Sequence, residues 1–165
     1  DKAGLKVGDV IRAVDGFEVD EPQALRYRFA TKGLGGKAKV SYLRDGKWRE
    51  AEVALVAPPE DPPAEETVIA GRNPFAGATI ANLSPAVADR LGFDSLTEKG
   101  VVIVNVEPGS AANRIQFQRG DIIVDVAGQK IGRVADLVKA TSDTRAQWTF
   151  TVKRGERSFT ATVGG

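Results

Sequence analysis

A stretch near the start of the chain returns near its end. LKVGDVIRAVDG (5–16) matches FQRGDIIVDVAG (117–128) in the pattern apolar-x-x-Gly-Asp-apolar-Ile-x-x-Val-x-Gly. The correspondence continues with QALRYRF (23–29) against ADLVKAT (135–141), which sets Leu25 opposite Leu137. It ends with VSYLRDGKWREAEVAL (40–55) against FTVKRGERSFTATV (150–163), after a short deletion. Such a repeat constrains the architecture more than any single motif, because one supersecondary plan must serve both copies.

Each copy reads as strand, turn, helix and hairpin. DVIRAV and DIIVDV are β-branched and apolar and end in glycine, which predicts strands. EPQALRYRFAT and RVADLVKATSD carry apolar residues at helical spacing. RDG and KRG sit between two alternating runs, as hairpin turns do. Each unit is therefore expected to be a small α+β domain dominated by antiparallel strands. Between the copies lies APPEDPPAEE (57–66), which reads as a stiff, extended, solvated linker. The expected division is a first unit at 1–56, a linker at 57–70 and a second unit at 71–165.

The second copy has more in front of it. NPFAGATIANL reads as turn and strand. SPAVADRLG reads as a short helix, capped by Ser84, opened by Pro85 and closed by Gly92. GVVIVNV (100–106) is a buried strand, and EPGSAANRI is a turn and one helical turn capped by Ser110. The first copy has no counterpart of Gly71–Ala112, so it is expected to be incomplete. The chain starts at Asp1, not Met, and reads as a piece of a longer protein.

Composition narrows the chemistry. The 165 residues are 42% hydrophobic, enough for real cores. A net charge of +1 gives no electrostatic case for nucleic acid. No apolar run approaches the ~18 residues of a membrane span. The chain has no Cys, hence no disulfide framework and no thiolate metal site, and nothing implies a cofactor. It also has no His, which removes the usual general base and any Ser-His-Asp relay. Ser84 and Ser110 have capping explanations and no GNSGG-like nucleophile segment exists, so no catalytic or metal-binding residue is expected.

The segment GVVIVNVEPGSAANRIQFQRGDIIVDVAGQKI, followed by helix and hairpin, resembles a circularly permuted bacterial PDZ domain. AGLKVGDVIRAVDGFEV resembles the same segment of a second one. Two such units in tandem, with NPFAGATIANLSPAVADRLGF opening the second, resemble the C-terminal region of HtrA/Do-type periplasmic serine proteases. The resemblance implies two partly open antiparallel barrels or sandwiches with two helices each, the first truncated.

It also implies a site. Phe75-Ala76-Gly77-Ala78, then Thr79 and Ile80, match the family's loop before the peptide-pairing strand. A terminal carboxylate needs converging N–H groups, and an extended peptide then adds to the strand edge. Gly77 would supply the backbone angles and let the ligand approach. Ala76 and Ala78 are smaller than family loops often carry at those positions. One edge of the 134–141 helix would form the side-chain pocket, with Leu137 or Val138 serving there as well as in the core. Arg72 either neutralises a carboxylate or is an ordinary surface arginine.

The implied function is non-catalytic: a peptide-binding, regulatory tandem in protein quality control, located in the periplasm. Its partners would be C-termini of peptides or unfolded proteins, the protease domain of the parent chain, and a second copy of itself. Two alternatives stay open. One is a tandem from another envelope protein, such as an intramembrane metalloprotease or a secretion component. The other is a pair of domains that serve oligomer assembly.

Overall fold

A computed structural model describes residues 3–92 and 99–164. The chain divides into two units, Asp1–Ala57 and Pro58–Gly165.

In the first unit, β1 (Val10–Val14), β2 (Phe17–Glu18), β3 (Lys37–Arg44) and β4 (Lys47–Ala54) form an antiparallel sheet in the order β2-β1-β3-β4. Along β3 the inward Ala38, Val40 and Tyr42 alternate with Lys37, Lys39 and Ser41, the period-2 pattern of a half-buried strand. Helix α1 (Pro22–Lys32) starts with Pro22 and stops at Gly33. Its Ala24, Leu25 and Phe29 pack, partly buried, on a small core of Val14, Val19, Ala38, Val40 and Leu55.

The second unit holds β5 (Thr67–Val68), β6 (Ala78–Asn82), α2 (Pro85–Leu91), β7 (Val101–Val106), α3 (Ala111–Arg114), β8 (Ile122–Val126), β9 (Gln129–Lys130), α4 (Val134–Ser142), β10 (Gln147–Arg154) and β11 (Arg157–Gly164). Its open sheet runs β11-β10-β8-β7-β6-β5, with β9 on β8. Ser84 and Ser110 accept hydrogen bonds from the Val87 and Asn113 N–H groups, so the two serines act as helix caps. One core gathers Phe75, Ile80, Ile103, Ile123, Leu137, Trp148 and Phe150; a second lies under α2. Neither unit closes into a barrel.

The segment read as a solvated linker differs from that expectation. From Pro58 onward it belongs to the second unit, Ala64 and Ile69 are buried, and Thr67–Val68 pair with β6. Proline and acid content reports the exposed side of this segment. Its two inward apolar residues and its backbone pairing are invisible to composition.

The repeat permits an internal comparison. β1 and β8 are equivalent, but Ile122 and Ile123 of β8 pair with Val102 and Val101 of β7. Among the described residues β1 has only β2 and β3 as neighbours. Val10 is accordingly 54% exposed, where its equivalent Ile122 is 8% exposed.

The Gly-Asp motif has a second role beyond strand entry. Asp9 takes two hydrogen bonds from the Arg44 guanidinium, both 2.6 Å, and one from the Lys6 N–H. Asp121 takes two from Arg154, 2.6 and 2.7 Å, and one from the Gln118 N–H. Each arginine also donates to a backbone carbonyl, Gly4 or Gln116. Each clamp ties the hairpin turn to the loop that enters the repeat's first strand. The Arg44 hydrogen bonds hold the Asp9 carboxyl at about 2, below the ordinary aspartate value. A depressed folded-state value means the stabilisation is complete above the unfolded value and is lost as pH falls through the folded one. Acid titration of the first unit, followed by Trp48 fluorescence, should therefore show stability falling between about pH 4 and pH 2. Arg44→Gln should flatten that dependence, and an unchanged profile would refute the assignment.

Candidate functional site

The loop before β6 is built around Phe75. Its ring is fully buried, stacked on Phe117 at 5.0 Å and edge-on to Phe150 at 5.4 Å. This apolar residue is an anchor that fixes the loop to the core. Asn73 shapes the turn: its Oδ1 accepts from the Phe75 N–H, and its Nδ2 donates to the Ala70 carbonyl.

Every N–H of the expected carboxylate nest has a partner inside the chain. Phe75 donates to Asn73 Oδ1, Ala76 to the Asn73 carbonyl, Gly77 to the Ile69 carbonyl, and Ala78 to the Phe75 carbonyl. Gly77 has φ +88°, a conformation glycine tolerates. The close approach it permits is to Ser110: a Cβ on Gly77 would lie 2.2 Å from the Ser110 Cβ. Gly77 was expected to serve the approach of a ligand; the approach it serves inside the chain is that of Ser110.

β6 follows, with Ala78 and Ile80 buried and Thr79 half-buried. On one side it pairs with β7. On the other it pairs antiparallel with β5, Thr67 opposite Ile80 and Val68 opposite Thr79. The hydrogen bonds continue beyond the strand: Ile69 N–H to the Ala78 carbonyl at 2.9 Å, and Asn82 N–H to the Ala64 carbonyl at 2.7 Å. Residues 63–69 thus run along the edge on which a peptide was expected to add.

α4 lies against the same region. Leu137 is wholly buried in the core, whereas Val138, 42% exposed, faces outward. Arg72 is exposed. The loop, β6 and Leu137 come together, and Val138 and Arg72 stand at the surface. Two residues outside the expected set organise the site. Asn82 Oδ1 accepts from the Val134 N–H at 2.8 Å, while its Nδ2 donates to the Pro63 carbonyl and the Glu65 carboxylate. Asn73 Nδ2 reaches the Thr141 carbonyl at 3.5 Å, at the far end of α4. Both asparagines are buried. Polar residues bracketing the apolar run PFAGATIA were the signal for them.

A family model described as PDZ domain matches residues 1–55 and 74–164. The chain belongs to the PDZ domain family. Both units thus carry PDZ sequence, and the loop–β6–α4 arrangement lies in the second PDZ region. Among curated proteins, the chain is 28% identical over 96% of its length to a probable periplasmic serine protease do/HhoA-like of Haemophilus influenzae. It is 34% identical over 87% of its length to a probable periplasmic serine endoprotease DegP-like of Chlamydia pneumoniae. It is 27% identical over 96% of its length to the periplasmic serine endoprotease DegP of Escherichia coli. The chain spans 31%, 28% and 30% of those proteins, so its PDZ regions match less than a third of each. Among the described residues, no helix is long and apolar enough to cross a membrane. No group of three or more Asp and Glu side chains among them is placed to hold a metal ion.

Proposed function

We propose that the chain is the regulatory PDZ tandem of a periplasmic serine endopeptidase in protein quality control, and that its second unit recognises C-termini or extended segments of substrates. The observation that carries this reading is the β6 edge. It already accepts an extended segment in antiparallel register, with the Gly77 loop at the end where a chain terminus would arrive. Similarity to periplasmic proteases supports the parent activity and the location. Captured substrate would be held near a protease domain, or would bias that domain toward its active state.

Strand addition with few buried anchors gives about micromolar affinity, and because the edge must open first the apparent value falls to about 100 μM, roughly −5.5 kcal/mol. Fluorescence anisotropy with a labelled decapeptide ending in a valine carboxylate should show this binding. The same peptide with an amidated terminus should bind at least about tenfold more weakly. Equal affinity for the two would refute terminus recognition.

The exposed Val10 favours a second reading for the first unit. Among the described residues, the first half of β1, ahead of its pairing with β2 at Ala13 and Val14, has a strand on the β3 side only, and the exposed Val10 lies there; such surfaces commonly end up covered in an assembly. Light scattering over a concentration series should show self-association of this chain, and Val10→Lys should reduce it. A strictly monomeric chain would refute the assembly reading.

A further inference from the structure

Residues 63–69 do more than cover an edge. They run antiparallel to β6 with Ile69 at the loop end, the position and direction that the proposed peptide ligand would take. The Ile69 carbonyl accepts the Gly77 N–H that a terminal carboxylate would otherwise use. The Ile69 side chain is buried in the same core as Leu137 and Ala140 of α4. Three residues earlier, Glu66 forms an ion pair with Arg90 of α2. Four residues earlier, Glu65 accepts from Asn82. Val68, between the two ends, points outward and is exposed.

We propose that residues 63–69 are a built-in ligand that keeps the β6 edge closed. The site then opens to chain termini of the same chemistry: a β-branched apolar end residue with acidic residues three and four positions before it. This rests on the peptide-recognition reading above. The ends of the segment are where closure is set. Asn82 joins its start to the first turn of α4, and Asn73 joins its exit to the last. A competing terminus has to replace both the strand pairing and the Ile69 side chain, and it brings a full carboxylate to Gly77 in place of a peptide carbonyl. A charged acceptor forms the stronger hydrogen bond, which gives an incoming terminus its advantage over the internal segment.

The test uses the whole chain with Val68→Cys and Thr79→Cys. These positions face each other across the pairing, and antiparallel partners lie about 4.5–5.5 Å apart at Cα, within disulfide reach. The chain has no other cysteine, so oxidation locks only this contact. The probe is a labelled peptide of residues 60–69, EDPPAEETVI, with a free carboxylate. The reduced form should bind it, and the oxidised form should bind at least about 100-fold more weakly while keeping its circular dichroism. Equal binding by both forms would overturn the closure and leave peptide recognition standing. No binding by either form, nor by the unaltered chain, would overturn recognition and the inference with it. A second peptide, with both central glutamates changed to lysine, should bind the reduced form about threefold to tenfold more weakly. Equal affinity for the two peptides would overturn the acidic preference.

Discussion

Gly77→Val should strongly destabilise the second unit, not simply weaken a binding site. A β-branched residue at φ +88° is strained by about 1–3 kcal/mol. Its Cβ would also overlap the Ser110 Cβ at 2.2 Å, and that atom sits on the backbone of a capped turn and cannot swing away. The Gly77 N–H and carbonyl each hold a neighbour in place, Ile69 and Glu107. Together these predict a loss of about 4 kcal/mol, and a melting midpoint lower by about 15 °C. Trp148, wholly buried in this unit, reports the transition by its fluorescence. The cause can be isolated: Gly77→Ala should cost less in a Ser110→Gly background than in the native one, a coupling that independent sites would not show. A melting midpoint unchanged by valine would mean that the loop shifts freely, and the account of this glycine would be wrong.

Arg154→Leu should come next in size. Asp121 is 0% exposed, and its carboxylate is held by two guanidinium hydrogen bonds and one backbone N–H. Removing the arginine leaves a buried charge without its counter-ion. Such losses run to about 3–5 kcal/mol, and the half-exposed arginine places this one at about 3 kcal/mol. Urea unfolding followed at Trp148 measures it. Adding Asp121→Asn to the leucine variant should recover part of the loss, because the uncompensated charge is then gone. If the double variant is no more stable than the single one, charge is not the reason for the pairing.

The repeat made the strand–helix–hairpin plan legible, and with it the pairing of β3 with β4 and of β10 with β11. Ser84, Pro85, Gly92 and Ser110 announced their helices because capping is local. Contacts distant in sequence were not legible. Gly77 stood out as a glycine, but its neighbour Ser110 is brought there only by the packing of α3 against the loop. Arg44 and Arg154 recur at the same place ahead of their turns, a signal present in the repeat, yet their target aspartates become evident only once the hairpin folds back. The segment 57–70 misled for a different reason. Its prolines and acids describe a solvated surface, and that surface exists. The pairing to β6 uses backbone groups, which every sequence possesses, and two inward apolar positions, Ala64 and Ile69, that do not form a run.

The segment beside β6 is joined to that strand by the loop 70–77, and this short tether has a quantitative meaning. A tethered competitor acts as if present at millimolar concentration, whatever the dilution of the protein. A chain end arriving alone at micromolar concentration meets a rival about a thousand times more abundant. Occupancy should therefore stay low for scattered termini and climb where many ends crowd together, or where one substrate is already held elsewhere and presents its end repeatedly. On the proposed reading, the edge would then respond to the local density of chain termini and ignore their occasional appearance.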